Sequence, residues 1–387
     1  MTLPLFLYGP LCHAPLRAEV LGTGHSVEAA ALSGYRLGRV AGSGLPALVP
    51  GEGAVPGLLV SGLDATARAR ADFFAAVLGY EPAEVEMRLE DRWRRLVAAY
   101  LFLAGPVATG PVETGPVVNG PVATDGGWDR DAWIARLGDV WASAAVEVMA
   151  GMGDESPAAM AVRWPTMCMR AATRIRAARD TGAEIRADLT AARDVEILAH
   201  RTPYTEYFSL EDPDLRFRRF NGAWSNRVRR AAFVGGDAVS VLPYDPVQDA
   251  VLMVEQFRTG PLVRGDPRPW SLEPIAGRID PGEAPEDTAR REAQEESGLA
   301  LGALHKVAEY YPSPGAVTEY LYSFVAEADL AGFGGRIGGE AGEDEDIRSH
   351  VVPFDRLMAL IDSGEAGTGP LILSIYWLAL NRTRLRS

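Results

Sequence analysis

Glu292, Glu295 and Glu296 are spaced i, i+3 and i+4, so on a helix their carboxylates share one face. Like charges at that spacing repel. A hard divalent cation removes the repulsion, and Mg²⁺ typically takes one or two carboxylates together with substrate phosphates. The pattern admits metal-assisted chemistry on a phosphate compound; by itself it equally describes a solvated acidic helix face. Farther on, Glu343-Asp344-Glu345-Asp346 follows a glycine-rich stretch, Gly334 to Gly342. It has the same two readings, an acidic loop that closes over a substrate or a solvated acidic turn.

The elements that must position these carboxylates are written in the flanking residues. Gly277 and Gly282 allow tight backbone turns. Pro285 suits a first helical turn, Glu286 and Asp287 sit where the helix dipole favours negative charge, and Gly298 suits the residue just past the helix end. Before this helix the chain alternates in strand patterns from Val195. Tyr204 to Arg216 and Trp224 to Phe233 read as a hairpin-like pair around Asn221-Gly222. Ala238 to Pro243 and Ala250 to Gln256 read as another pair, around Tyr244-Asp245-Pro246.

Gly277, five residues, Glu283, seven residues and then Arg291-Glu292-Ala293-Gln294-Glu295-Glu296-Ser297-Gly298-Leu299 match the Nudix box without a gap, and this region resembles Nudix hydrolases. The resemblance implies an α/β/α sandwich and cleavage of a nucleoside diphosphate linked to another moiety, with Mg²⁺ or Mn²⁺. It makes Glu292 and Glu296 side-chain metal ligands and the Ala276 carbonyl a backbone ligand. Glu295 is close enough to join the metal or to support it, and counts among the catalytic candidates. Glu283 and Arg291 read as structural partners that orient the loop and helix.

The flanks narrow the resemblance. Val254-Glu255-Gln256-Phe257-Arg258 precedes the box, Pro269 to Gly277 runs into it, and Ser313-Pro314-Gly315 follows it. Over about residues 195–385 this set is similar to ADP-ribose pyrophosphatases. The resemblance implies that Glu343 is the general base, Glu345 a third metal carboxylate, Arg258 and Arg230 arginines of the diphosphate and adenosine, and Tyr207 an aromatic that stacks on adenine. Gly277 would line the substrate, and Ser313 and Glu319 would face the terminal ribose. Ala231 stands where relatives often carry Glu. The resemblance also implies a homodimer with exchanged N-terminal strands and shared active sites. Other readings of the same residues are hydrolysis of a nucleotide sugar or NADH, and a nucleotide sensor without turnover.

The chain has 387 residues and a net charge of −14, which predicts more than one domain and argues against non-specific nucleic-acid binding. Two cysteines far apart, Cys12 and Cys168, offer neither a disulfide framework nor a zinc pattern. The apolar start lacks a basic segment, and the longest uncharged run is broken by Gly105-Pro106 and Gly110-Pro111, so no membrane span and a cytoplasmic protein are expected.

Residues 3–8 read as a buried strand, 48–50 and 55–60 as further short strands, 64–78 as a helix capped by Asp64, and 97–103 as a strand. With Tyr8-Gly9-Pro10-Leu11 and Gly34-Tyr35-Arg36-Leu37, residues 3–105 resemble the gamma-glutamylcyclotransferase-like family. That family places a general acid/base glutamate four residues before a tyrosine; here the tyrosine is Tyr80 and the position holds Ala76. Gly105 to Val122 repeats GPV in steps of five and is expected to form an extended loop. Trp133, Ile134, Leu137, Val140 and Trp141 fall at helical spacing and read as core, and a second helix is expected over 157–179. The expected architecture is α/β (α+β): a small barrel domain with added helices over 1–180, a linker over 181–194, and a Nudix sandwich over 195–387.

Overall fold

The structure is a computed structural model. It describes residues 3–41, 43–88, 94–102, 126–178, 184–339 and 345–387; the glycine-proline-valine repeat lies outside them. The chain divides into two compact units, Met1–Ile175 and Arg176–Ser387. No described helix is long and apolar enough to cross a membrane.

The first unit contains β1 (Leu5–Leu7), α1 (Ala14–Leu21), β2 (Ser26–Arg39), β3 (Pro46–Ser61), α2 (Ala65–Val77), β4 (Tyr80–Arg88), β5 (Arg94–Phe102), α3 (Arg130–Trp133) with a π turn to Gly138, α4 (Asp139–Ala150) and α5 (Pro157–Ala177). The buried, continuous apolar run of β1 sits between antiparallel β3 and parallel β5 in the order β2-β3-β1-β5-β4. The edge strands β2 and β4 approach each other. They do not pair, so the expected barrel is an open five-stranded sheet among the described residues. The two short strands expected at 48–50 and 55–60 are one, β3. A register shift opposite Ser33 and Tyr35 absorbs the Gly51-Glu52-Gly53 interruption. Asp64 caps α2 as expected, accepting from the Ala67 N–H at 2.7 Å. The core includes Trp133, Trp141, Trp164 and Phe74 in successive edge-to-face contacts.

The second unit begins with α6 (Ala191–Asp194) and the short strands β6 (Val195–Ala199), β7 (Tyr204–Thr205), β8 (Ser209–Glu211), β9 (Asp214–Phe217), β10 (Val228–Arg229) and β11 (Ala232–Val234). The expected hairpin is present in its pairing, β9 with β10 and β8 with β11, but is split into two small sheets. The split falls at Asp212-Pro213, where proline lacks a ladder donor and both Asp212 and Asp214 bind arginines instead.

The main sheet follows: β12 (Ala238–Asp245), β13 (Ala250–Phe257), α7 (Thr259–Arg264), β14 (Trp270–Glu273), β15 (Ile275–Arg278), α8 (Pro285–Ser297), β16 (Leu304–Tyr310), β17 (Leu321–Glu327), β18 (Ile337–Gly338), β19 (Ile347–Pro353), α9 (Phe354–Ser363) and α10 (Gly369–Leu385). Its path is β16-β17-β12-β13-β19-β18, with β14 on β13 and β15 on β12. Every residue of β12 is buried. Val239 and Val241 pack in the cluster of Ala289 and Ala293 of α8, while Leu242 and Tyr244 pack with Leu357, Leu371 and Ile375 of α9 and α10. A strand buried on both faces between helices makes this unit an α/β/α sandwich.

Candidate active site

The acidic helix is α8. Pro285 stands in its first turn, Glu286 and Asp287 follow, and Gly298 ends it in the left-handed conformation at φ 68°. Ala289 and Ala293 are fully buried. Their small side chains let α8 lie low over β12 and β15, which brings Glu292 and Glu296 down onto the sheet edge. Gly277 in β15 is the floor: a Cβ there would lie 1.9 Å from the Glu292 carboxyl carbon. Ala276, beside it, pairs with Ser240 of β12.

Arg291 fixes the frame. It donates to both oxygens of Glu283 at 3.1 and 3.0 Å, to Glu292 at 2.7 Å, to Glu295 at 2.8 Å and to the Arg278 carbonyl at 3.0 Å. Glu283 in turn accepts from the Thr288 hydroxyl at 2.7 Å. One guanidinium therefore ties the loop, the strand and the helix together, and it holds Glu295 on the exposed side.

Burial is the largest influence on Glu296: with the charges of Glu292 and Glu345 it pushes that carboxyl up to about 9. Burial likewise pushes Glu292 up to about 7 against the opposing charge of Arg291. Glu296 is 3 % exposed, and its Oε2 has no hydrogen-bond partner. A buried oxygen without a partner, facing two further carboxylates, fits a cation. Among the described residues no three acidic, histidine or cysteine side chains close into a ready cage. A site completed by a backbone carbonyl, water or substrate phosphate suits Mg²⁺ better than an all-protein cage does.

Glu345 comes from the β18–β19 hairpin, which presses on α8. A Cβ at Gly338 would lie 2.0 Å from the Glu296 carbonyl, and one at Gly339, at φ +104°, would lie 2.8 Å from the Glu345 Cβ. Only glycines permit that approach. Glu343 lies outside the described residues.

Arg258, at the end of β13, is clamped by Glu273 of β14 at 2.7 to 3.2 Å. Its burial opposes its charge, which Glu273 and then Glu296 and Glu345 hold in place. Tyr207 is 58 % exposed beneath Arg278, whose guanidinium carbon is 4.3 Å from the ring centre. Burial raises the Glu319 carboxyl, with the charges of Arg278 and Arg258 pulling it back. Arg258, Arg278, Tyr207 and Glu319 thus belong to one neighbourhood. Arg230 stands exposed between β10 and β11, with its N–H on the Pro213 carbonyl at 3.2 Å. The exposed Ser313 accepts the Ala316 and Val317 N–H groups on its carbonyl at 3.2 and 3.0 Å. Among the described residues no hydrogen bond or ion pair links either side chain to the carboxylates. Two participants were missed by sequence reasoning, Glu273 and Arg278. Arg278 had one signal, its place directly after the box glycine; Glu273 had none until β13 and β14 were in register.

A cluster of buried carboxylates beside an arginine suits a divalent cation and a charged phosphate compound. Residues 235–373 match the model of the NUDIX domain, and residues 5–130 match that of gamma-glutamyl cyclotransferase, AIG2-like. An ADP-ribose pyrophosphatase of Escherichia coli strain K12 is 40% identical over 194 residues, which are 50% of this chain and 92% of that protein. The ADP-ribose pyrophosphatase of Haemophilus influenzae is 36% identical over 196 residues, 50% of this chain and 90% of its own. A GDP-mannose pyrophosphatase of Enterobacter sp. strain 638 is 34% identical over 190 residues, 48% of this chain and 96% of its own. The chain belongs to the Nudix hydrolases, a family that generally uses divalent metal ions, and carries an AIG2-like domain ahead of its Nudix domain.

Proposed function

We propose that the Nudix unit hydrolyses the diphosphate of ADP-ribose to AMP and ribose 5-phosphate, with Mg²⁺ held by Glu292, Glu296, Glu345 and the Ala276 carbonyl. The observation that carries this is the buried, unpartnered Glu296 Oε2 among carboxylates. The identity to ADP-ribose pyrophosphatases, higher than to the GDP-mannose enzyme, supports the substrate. A nucleotide sugar is the second reading, and the GDP-mannose relatives favour it.

When bound, the cation offsets diphosphate charge and polarises the phosphorus under attack. Glu343 accepts a proton from the attacking water, whose oxygen bonds to one phosphorus as the bridging P–O bond breaks. Arg258 and Arg230 bind the phosphates and adenosine, and Ser313 and Glu319 bind the terminal ribose. Arg291 and Glu283 hold the carboxylates in register, with Glu295 supporting them. Release of AMP from ADP-ribose, compared with Glu296→Gln and Glu343→Gln, tests the reading.

The enzyme is proposed to be a cytoplasmic homodimer. Exposed Ile197, Tyr204 and Phe217 on the short N-terminal strands of the Nudix unit, with exposed Phe220 in the turn after β9, support a surface that a second copy covers. The first unit is proposed to lack cyclotransferase activity. Its cavity beside Tyr8, Gly9 and Pro10 is lined by Phe6, Leu7, Leu11, Phe74, Ala75, Leu78 and Tyr80, and no carboxylate is among the lining residues. The Tyr80 hydroxyl is committed to the Pro46 carbonyl at 2.7 Å. A cyclisation needs a proton shuttle within hydrogen-bond reach, and Ala76 supplies none.

A further inference from the structure

Gln256 has no role in the account so far. It is 6 % exposed, and its Nε2 is buried without a hydrogen-bond partner among the described residues. A buried amide donor left unpaired costs more than an apolar side chain of the same shape. The strands on either side do not take it up. Ser271 of β14 stands opposite Gln256, and Glu273 of β14 stands opposite Val254. Glu273 is engaged by Arg258, and Ser349, opposite Val254 on β19, donates to the Phe333 and Arg336 carbonyls.

The pleat of β13 decides which way this amide faces. Leu252 and Val254 pack in the cluster of Ala289 and Ala293 of α8, while Val251 and Met253 pack on the side of α9 and α10. Alternate residues of a strand share a face, so Gln256 continues the row of Leu252 and Val254 on the α8 side. That is the side of the carboxylates, since the charges of Glu296 and Glu345 both act on Arg258, the next residue of the row. The face therefore carries two buried, unpartnered atoms of opposite kinds. The Glu296 Oε2 is an acceptor that a cation satisfies. The Gln256 Nε2 is a donor; no cation satisfies it, and it requires an oxygen acceptor. A phosphate compound that carries a divalent cation supplies both partners at once.

We propose that Gln256 is a further substrate-binding residue, whose amide N–H donates to a non-bridging oxygen of the substrate diphosphate. The inference rests on the reading that a diphosphate is the substrate. Arg258, with its side chain 41 % exposed, then holds the phosphates at the rim of the site, and Gln256 holds them at its floor. Gln256→Met keeps the length of the side chain and removes the donor. Because that donor is unpaired within the protein, its removal relieves a cost of folding and breaks no contact. Gln256→Leu also lacks the donor and is shorter.

The test uses the full chain and calorimetry, with two titrants: Mg²⁺ alone, and, in the presence of Mg²⁺, an ADP-ribose analogue whose bridging oxygen is replaced by methylene. Both variants are expected to raise the dissociation constant of the analogue about tenfold and to leave that of Mg²⁺ within about twofold. Gln256→Met is expected to melt no lower than the parent in a thermal scan without ligand. Unchanged analogue binding in the two variants overturns the proposal. So does an equal loss of Mg²⁺ affinity, because the donor then serves the surroundings of the cation. Melting lowered by more than about 5 °C in both variants also overturns it, because the amide is then part of the bonding of the fold itself. A parent that does not bind the analogue sinks the proposal together with the diphosphate reading. A parent that binds the analogue but releases no AMP from ADP-ribose tells against the activity and not against the donor.

Discussion

Gly277→Ala separates the placement of Glu292, a proposed metal carboxylate, from the stability of the fold. Gly277 lies in β15 and is not among the glycines at positive φ, so an alanine backbone fits there. Its Cβ does not fit: it would stand 1.9 Å from both the carboxyl carbon and Oε1 of Glu292, and 2.5 Å from Oε2. Regaining an ordinary contact requires the carboxylate to retreat by about 1.5 Å. The retreating atoms are the end of a flexible side chain, so the expected loss of stability is about 1 kcal/mol or less, a melting shift of roughly 2–4 °C. Catalysis has no such tolerance. Metal-ligand distances hold to about 0.2 Å, and a misplacement of about 1 Å at a reacting centre costs about 100-fold. The expected result is a fall in kcat of about 100-fold for AMP release from ADP-ribose at saturating Mg²⁺, beside a nearly unchanged thermal scan. Activity within about threefold of the parent would refute the reasoning, since it would mean that the position of Glu292 over Gly277 is immaterial.

The remaining expectations concern the metal, the assembly and the first unit. Glu292 and Glu296 are raised to about 7 and about 9 without metal, so cation binding must expel protons and its apparent affinity rises with pH across that window. By the same shifts the metal-free fold holds these protons more tightly than the unfolded chain, so its melting temperature falls as pH rises from about 4.5 to about 9, and Mg²⁺ restores it. Titration of Mg²⁺ into metal-free protein at several pH values, with thermal scans, checks both; affinity and melting that ignore pH would count against the cluster. Light scattering at working concentration is expected to give twice the chain mass, and a monomer would contradict the dimer. Incubation with gamma-glutamyl peptides is expected to release no 5-oxoproline, and measurable release would restore a cyclotransferase role to the first unit.

The site was legible where its determinants are local. The period, the proline start, the glycine end and the carboxylate spacing of α8 all lie within Gly277 to Leu299, and each is found in place. The sandwich order was legible for the same reason, from short apolar runs such as β12 and β13 that are buried almost throughout. Features set by partners were not. β3 reads as two pieces until β2 is laid beside it with a register shift. β4 was hidden because it begins at Tyr80, directly after α2 ends at Val77, across a tight turn made by Gly79 at φ 80°. The clamp of Glu273 on Arg258 and the seat of Arg278 on Tyr207 are tertiary contacts between residues 15 and further apart, which spacing along the chain does not encode. Gly338 reads only as loop flexibility in the sequence; its role as the one shape that admits the Glu296 carbonyl emerges from the approach of the hairpin to α8.

The most direct test of the central claim is the rate of AMP release from ADP-ribose with Mg²⁺ by the full chain and by Glu296→Gln. Glutamine keeps the shape of the buried side chain and removes the anion that a cation requires. The account predicts turnover in the parent and a fall of about 100- to 1,000-fold in the variant, with both proteins folded by thermal scan. A parent that releases no AMP, or a variant that keeps the parental rate, would contradict it.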